Sequence, residues 1–227
     1  MIMRKIEIFG IGLYDCSLRE AMRRVDTYLK EGAVHTIDCV TAQMLLQAEN
    51  SEEQKEWLEA MDMTILCDAD VLRAAGVETR GRIREIENQA FLKEFFKKLA
   101  RERRNVYLLG DNQDALDTLK NYLTERMVAI SGETLLTQES AGRGDSLINE
   151  INDVAPDVIL VTIPYPAGEQ FVFENKSRIN SSIWIGLPGR KEFEERKETW
   201  FYGVIRRLRG RLFQRKVDKY KNEEGTD

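Results

Sequence analysis

Short apolar runs alternate with segments of helical periodicity from about residue 6 to residue 186. Val106–Leu109 and Val158–Val161 are two such runs, and each is short enough to be a buried strand. Among the helical segments, Ser17 is followed three residues later by Glu20, which is the spacing of a capping box. Strands that alternate with helices predict a mostly parallel sheet with helices on both faces. We therefore expect an α/β, Rossmann-like fold.

The chain changes character near residue 190. From there to Lys221 it is strongly basic, with aromatic residues interleaved. Within Arg206–Lys221 there are five arginines and three lysines against a single aspartate, Asp218. We predict an α/β domain over residues 1–190 and a basic amphipathic C-terminal appendage over residues 191–227.

The appendage has three interpretations. An apolar stripe at helical spacing beside the cations suits a helix lying in a membrane interface, where each basic residue near anionic lipid contributes about 1 kcal/mol. The cations could instead bind nucleic acid, although the net charge of −5 for the whole chain counts against this. The stripe could also pack on the chain's own domain. Its members are Trp200, Phe201, Val204, Ile205, Leu208 and Leu212.

Composition argues against several kinds of site. The three cysteines are far apart and show no metal-binding spacing, so we expect reduced thiols and no zinc. His35 is the only histidine, which leaves a Ser-His-Asp triad poorly supported. No apolar run reaches the 18 or so residues of a membrane span. We expect no cofactor, no metal and a cytoplasmic location.

Ligands of doubly wound sheets bind beyond the carboxyl ends of the strands. Asp68 follows the predicted strand Met63–Cys67, where it could be a general base or could only cap the next helix. Gly110 and Asp111 follow another strand and could contact phosphate oxygens near a helix N-terminus. The three-glycine fingerprint of dinucleotide binding is lacking, so NAD is poorly supported.

Four stretches carry a family resemblance: Arg104–Gly110, Ala155–Val161, Glu169–Asn175, and Trp200–Tyr202 before the arginines. In their order and spacing the chain resembles the TagA/WecG/CpsF family of glycosyltransferases. The resemblance extends over essentially the whole chain. These enzymes transfer N-acetylmannosamine or a related sugar from a UDP-sugar to a lipid-linked acceptor.

The resemblance also implies site residues. Asp68 stands at the position of the family's proposed base. Thr41 takes the place of an asparagine, Tyr165 and Glu169 belong to the loop that the family writes Ser-Pro-Lys-Gln-Glu, and Gly189 and Glu192 belong to its nucleotide-binding loop. The appendage arginines that would reach the active site and the acceptor diphosphate are Arg206, Arg207 and Arg209.

The resemblance thus implies an inverting, metal-independent glycosyltransferase on the inner face of the cell membrane. Its partners would be a UDP-sugar donor, a polyprenyl-diphosphate-linked acceptor, an anionic membrane surface and either a second copy or a partner glycosyltransferase. The alternative is a non-catalytic relative that binds a nucleotide-sugar, a lipid carrier or a partner transferase. That alternative is favoured by three departures from the family pattern: its asparagine, its glutamine and its Thr-Gly-x-Asp segment are all replaced.

Overall fold

The computed structural model describes residues 4–77, 79–136, 144–188 and 200–224, with only the backbone given for residues 200–208 and 224. The strands are β1 (Arg4–Ile8), β2 (Ile11–Asp15), β3 (His35–Val40), β4 (Met63–Leu66), β5 (Asn105–Gly110), β6 (Ala129–Leu135), β7 (Val158–Val161) and β8 (Ile183–Gly186). Strands β3 to β8 form one sheet in the order β4-β3-β8-β7-β5-β6, and every pairing is parallel.

The helices follow the strands as the alternation predicts. They are α1 (Leu18–Tyr28), α2 (Ala42–Ala48), α3 (Glu52–Glu59), α4 (Ala69–Ala74), α5 (Arg80–Glu87), α6 (Ala90–Glu102), α7 (Gln113–Thr124), α8 (Gly144–Val154), α9 (Ala167–Asn175) and α10 (Trp200–Glu224). The capping box of α1 is present, because Ser17 and Glu20 each accept a hydrogen bond from the other's backbone N–H.

Helices cover both faces of the sheet. On one face, α1, α6 and α7 pack on the strands, with Phe95 and Leu108 in one buried cluster. On the other face, Ile151 of α8 and Val172 of α9 pack in a cluster with Val161. Strand side chains alternate between the faces, so both sides are apolar. The predicted α/β class is therefore confirmed.

The loose alternation over Ile6–Leu13 predicts a first strand and a turn, whereas the structure has a hairpin there. Strands β1 and β2 pair antiparallel around Phe9 and Gly10, whose φ angles are 54° and 75°. Two successive left-handed residues reverse the chain in the shortest hairpin turn, and glycine reaches that region without a Cβ clash. The hairpin then lies beside β4, where the N–H of Tyr14 donates to Oγ1 of Thr64 at 2.7 Å.

Two further boundaries differ from prediction. The sequence predicts a strand over Met127–Ile130, but the strand begins only at Ala129, because Met127 has a left-handed backbone and is 84% exposed. The sequence predicts a helix over Glu87–Ala100, which is α6 in the structure and begins only at Ala90, after Gln89 with its φ of 51°. The preceding helix, α5, is not predicted by the sequence.

Helix α10 packs on the domain through its second half. Phe213 and Val217 are buried, and the rings of Phe213 and Tyr220 meet the ring of Phe9 edge-on at 5.9 and 5.5 Å. Nζ of Lys221 donates to the carbonyl of Ala74 at 3.0 Å. A face of the appendage therefore does pack on its own domain, but through residues outside the predicted apolar stripe. Among the described residues, no helix has both the length and the apolar character needed to cross a bilayer.

Candidate active site

Asp68 lies where the chain passes from β4 into α4. Its extended backbone makes it the N-cap of α4, and its Oδ1 accepts a hydrogen bond from the N–H of Asp70 at 3.1 Å. The N–H of Ala42, in the first turn of α2, also donates to this carboxylate. Asp68 therefore links the first turns of two helices that follow adjacent strands. The capping interpretation is confirmed, and the role as a base remains a prediction.

The surroundings of Asp68 raise its pKa above the ordinary value. Burial is the largest cause, and the nearby carboxylate of Asp70 acts in the same direction. The two backbone donors and the guanidinium of Arg73 oppose the shift without cancelling it. A carboxylate with a raised pKa holds a proton more strongly than an exposed one, which is what a general base for a hydroxyl requires.

Thr41 is the neighbour of Asp68 across the sheet edge. Strands β3 and β4 pair with Val40 opposite Leu66, so Thr41 and Asp68 leave the sheet side by side. Thr41 is the N-cap of α2, and its Oγ1 accepts from the N–H of Met44 at 3.4 Å. A hydroxyl that accepts one hydrogen bond can still donate its own proton. Thr41 can therefore still donate to a ligand at this edge.

Glu169 lies in the first turn of α9 and faces Asp38 of β3. Both side chains are buried, at 6% and 2% exposure, and their carboxyls are hydrogen-bonded to each other. The contact crosses β8 at Gly186, where an added Cβ would lie 2.6 Å from Oδ1 of Asp38 and 3.5 Å from Oε1 of Glu169. Position 186 must therefore remain without a side chain for the two carboxyls to meet.

Tyr165 lies in the loop between β7 and α9, and its peptide bond to Pro166 is cis. Its hydroxyl donates to the carbonyl of Gln54 in α3 at 3.2 Å. Burial is the largest cause that raises the pKa of Tyr165, and the charges of Glu169 and Asp38 add to it. Tyr165 is therefore a neutral phenol close to the carboxyl pair.

Gly110 and Asp111 lie elsewhere along the sheet. Strand β5 is three positions from β3, which at the usual strand spacing is about 14 Å. Gly110 is buried, and an added Cβ would lie 2.7 Å from Oγ1 of Thr162 and 2.8 Å from Cγ of Leu116. Packing therefore explains the glycine at position 110, and Asp111 is exposed. The structure does not bring Gly110 and Asp111 close to Asp68.

A small cleft lies beside the ends of β4 and β8. Cys67, Phe91 and Pro188 are among its mostly apolar lining residues. Arg82 is also in the lining, and it forms ion pairs with Asp15 at 2.9 Å and with Glu85. Asp68 follows the lining residue Cys67 directly in the chain, although its own side chain is not part of the lining.

The middle of α10 reaches the same end of the molecule. Gly210 lies directly against the carboxylate of Asp70, two residues after Asp68. The side chain of Arg209 is exposed. Arg206 and Arg207 lie in the half of α10 for which only the backbone is described, and helical spacing places position 206 one turn before Gly210 on the same face. The predicted residues Gly189 and Glu192 lie outside the described residues.

Asp38 is not among the site residues that the sequence predicts. The one signal available was a carboxylate inside the apolar run His35–Val40, in a strand that is otherwise almost wholly buried. A buried charge is costly unless it is paired or protonated, so an acidic residue in such a strand predicts a partner. That partner, Glu169, is 131 residues away in the sequence (169 minus 38) and could not be read from spacing.

A parallel sheet with a carboxylate and two helix N-termini at its carboxyl edge defines a doubly wound α/β domain with a candidate ligand site at that edge. Comparison with protein families makes the class specific, because the model of the glycosyl transferase WecG/TagA/CpsF family matches residues 6–193. The chain belongs to that family and is thereby a glycosyltransferase of cell-surface polysaccharide synthesis. A comparison with curated proteins finds no match.

Proposed function

We propose that this chain transfers an N-acetylhexosamine, similar to N-acetylmannosamine, from a UDP-sugar to an acceptor on a polyprenyl diphosphate. The product would enter a surface polysaccharide or a teichoic acid. The observation that carries the proposal is Asp68, a half-buried carboxylate with a raised pKa beside Thr41.

In this reaction Asp68 accepts the proton of an acceptor hydroxyl while that oxygen attacks the anomeric carbon of the sugar. The bond from that carbon to the UDP oxygen breaks, and configuration inverts because attack comes from the opposite side. Negative charge grows on the departing diphosphate, where cations and hydrogen-bond donors lower the barrier. As the family resemblance implies, Arg206, Arg207 and Arg209 take this role, and no divalent metal is needed.

Donor binding is proposed for the segments that meet near Asp68. Thr41 and Tyr165 each have a hydroxyl at this edge, and Glu169 is in the first turn of α9. Gly189 and Glu192 complete the donor site in the proposal, since Gly189 directly follows Pro188 of the cleft lining. Gly110 and Asp111 are proposed as outer contacts only, because β5, which they follow, is three strand spacings from β3.

The test of function is a binding and transfer series. Calorimetry with UDP and with UDP-N-acetylhexosamines is expected to show saturable binding below millimolar concentration. Incubation with a polyprenyl-diphosphate-linked acceptor should then yield a product heavier by one N-acetylhexosamine in mass spectrometry. Absence of nucleotide binding at millimolar concentration would count heavily against an enzyme of this kind.

A non-catalytic relative remains the second candidate because two predicted donor contacts already have partners inside the protein. Oγ1 of Thr41 accepts from the N–H of Met44, and the carboxyl of Glu169 is bonded to Asp38. In that case UDP would bind without transfer, and the calorimetric and transfer experiments would disagree.

Membrane attachment is proposed for the outer side of α10. Phe213, Val217 and Tyr220 occupy the side that packs on the domain. At 3.6 residues per turn, the stripe that ends at Leu212 is turned roughly a third of a revolution away. Leu212 is 61% exposed. Arg211, Arg215 and Lys219 are also exposed, so an apolar position and three cations share the outer side.

We expect neutralisation of these three cations to weaken vesicle binding by about 10²-fold, at roughly 1 kcal/mol for each. The variant is Arg211→Gln/Arg215→Gln/Lys219→Gln, measured by co-sedimentation with anionic and with zwitterionic vesicles. Its matched control is Lys93→Gln/Lys97→Gln/Arg101→Gln, which removes three exposed cations of α6. Equal weakening by both variants would show that only net charge matters and would refute a specific role for α10.

A further inference from the structure

Asp38 and Glu169 form an isolated pair of carboxyls inside the protein. They lie on β3 and α9, are almost fully buried, and bond to each other across Gly186. Their second oxygens, Oδ2 of Asp38 and Oε2 of Glu169, have no hydrogen-bond partner among the described residues. Each carboxyl also receives one backbone N–H, from Cys39 and from Glu169 itself. Two carboxyls with so few donors require a proton between them.

The groups around the pair do not supply a compensating charge. The loop before α9 contributes Tyr165, a phenol whose pKa is raised by burial and further by the two carboxyls. Strand β8 contributes Gly186, which has no side chain. Among the residues that the structure describes, no lysine, arginine or histidine acts on the charge of either carboxyl. Two ionised carboxylates in contact would repel strongly at this burial, as in other carboxyl dyads that hold one proton.

We propose that Asp38 and Glu169 share one proton, and that this shared proton is a positioning device that fixes the first turn of α9 against the end of β3. Asp38 lies three residues before Thr41, Gly186 lies two residues before Pro188, and Tyr165 lies four residues before Glu169. The pair therefore joins the three strand-end segments that the donor site would use. Its consequence for donor binding rests on the proposed function, whereas its consequence for stability does not.

The pair predicts a specific pH dependence. Burial raises the pKa of Asp38 well above its ordinary value and that of Glu169 to about 7. The unfolded chain releases these protons near pH 4, so in this window the folded protein binds more protons than the unfolded chain. The stability that the protonated pair contributes is therefore fully present below about pH 4. It is lost as the pH rises through the folded-state pKa of the pair. One retained proton increases the unfolding equilibrium constant by up to about tenfold per pH unit.

The experiment compares urea unfolding at pH 5, 6, 7 and 8 for the unmodified protein and for Asp38→Asn/Glu169→Gln, which keeps the shapes and hydrogen bonds but cannot titrate. We expect the unfolding constant of the unmodified protein to rise more steeply with pH, by up to about tenfold per unit between pH 5 and 7. The pKa of Asp68 is also raised, but Asp68 contributes equally to the pH dependence of both proteins. Its contribution therefore cancels when the two slopes are compared. The exposed control Asp153→Asn should keep the unmodified slope. Equal slopes for the unmodified protein and the double variant overturn the shared proton.

A second measurement separates positioning from a merely structural role. Single variants are assayed for KM of the UDP-sugar and for kcat between pH 6 and 8.5. Asp38→Ala should raise KM at least tenfold with a smaller change in kcat. Asp38→Asn has an amide that can donate to Glu169, so its KM at pH 7 should equal that of the unmodified protein. The KM of the unmodified protein should rise at alkaline pH, and that rise should be absent in Asp38→Asn. An unchanged KM in Asp38→Ala overturns the positioning role. If no transfer is found at all, the urea series still decides whether the proton is shared, and the proposed function fails separately.

Discussion

Replacing Asp68 by asparagine is expected to leave the protein folded and to lower sugar transfer by about 10²–10⁴-fold, the usual contribution of a positioned acid or base. Asparagine caps helices as well as aspartate does, so its side-chain oxygen can still accept from the N–H of Asp70. The variant loses the basicity and the charge of the carboxylate, and one of the two oxygens available to the N–H groups of Asp70 and Ala42. Transfer rates at saturating donor and acceptor, with urea unfolding of the same sample, measure the two effects separately.

The control for this variant is again Asp153→Asn, an exposed aspartate on α8. It should transfer sugar at the unmodified rate. UDP binding by calorimetry should also be retained in Asp68→Asn, since the proposed role is in proton transfer and not in holding the nucleotide. A variant that transfers sugar as well as the unmodified protein would show that another group is the base.

The largest expected effect on stability is that of Phe213→Ala. Phe213 is 2% exposed and meets the ring of Phe9 edge-on at 5.9 Å. Truncation of a buried phenylalanine costs about 3–5 kcal/mol, from lost apolar burial and from the cavity that remains. Urea unfolding should show this loss directly.

The neighbouring residue supplies a matched comparison. Leu212 is 61% exposed, so Leu212→Ala should change the free energy of unfolding by no more than about 0.5 kcal/mol. The same variant should weaken vesicle binding, because it removes apolar surface from the outer side of α10. If Phe213→Ala were no more destabilising than Leu212→Ala, the second half of α10 would not pack on the domain in solution.

Local pattern was sufficient for the elements of the sheet. Apolar runs such as Val158–Val161 are strands because all four residues are buried between two layers of helices. The capping box at Ser17 depends on a spacing of three residues and could be read directly. The hairpin could not, because its turn has Phe9 in a left-handed conformation that its sequence does not favour. The rings of Phe213 and Tyr220 pack on Phe9, and those contacts lie far along the chain.

The candidate site shows the same division. Asp68 and Thr41 follow strands, and neighbouring strands bring them together as the α/β pattern predicts. The partners of Glu169 and of Gly210 could not be predicted, since Asp38 and Asp70 become their neighbours only through strand order and helix docking. The predicted apolar stripe lies on a different side of α10 from the side that packs on the domain. Helical periodicity identifies faces, and only the folded domain shows which face it covers.

The contact between the hairpin and α10 also bears on how the chain folds. Phe9 and Phe213 are 204 positions apart (213 minus 9), so the hairpin is synthesised long before the helix that covers it. During that interval the apolar side of the hairpin has no cover from α10. Contacts between segments so distant in sequence close late and slow folding. We therefore expect ribosome-bound chains that stop before residue 200 to expose this surface and to recruit chaperones, until the last helix emerges and completes the core.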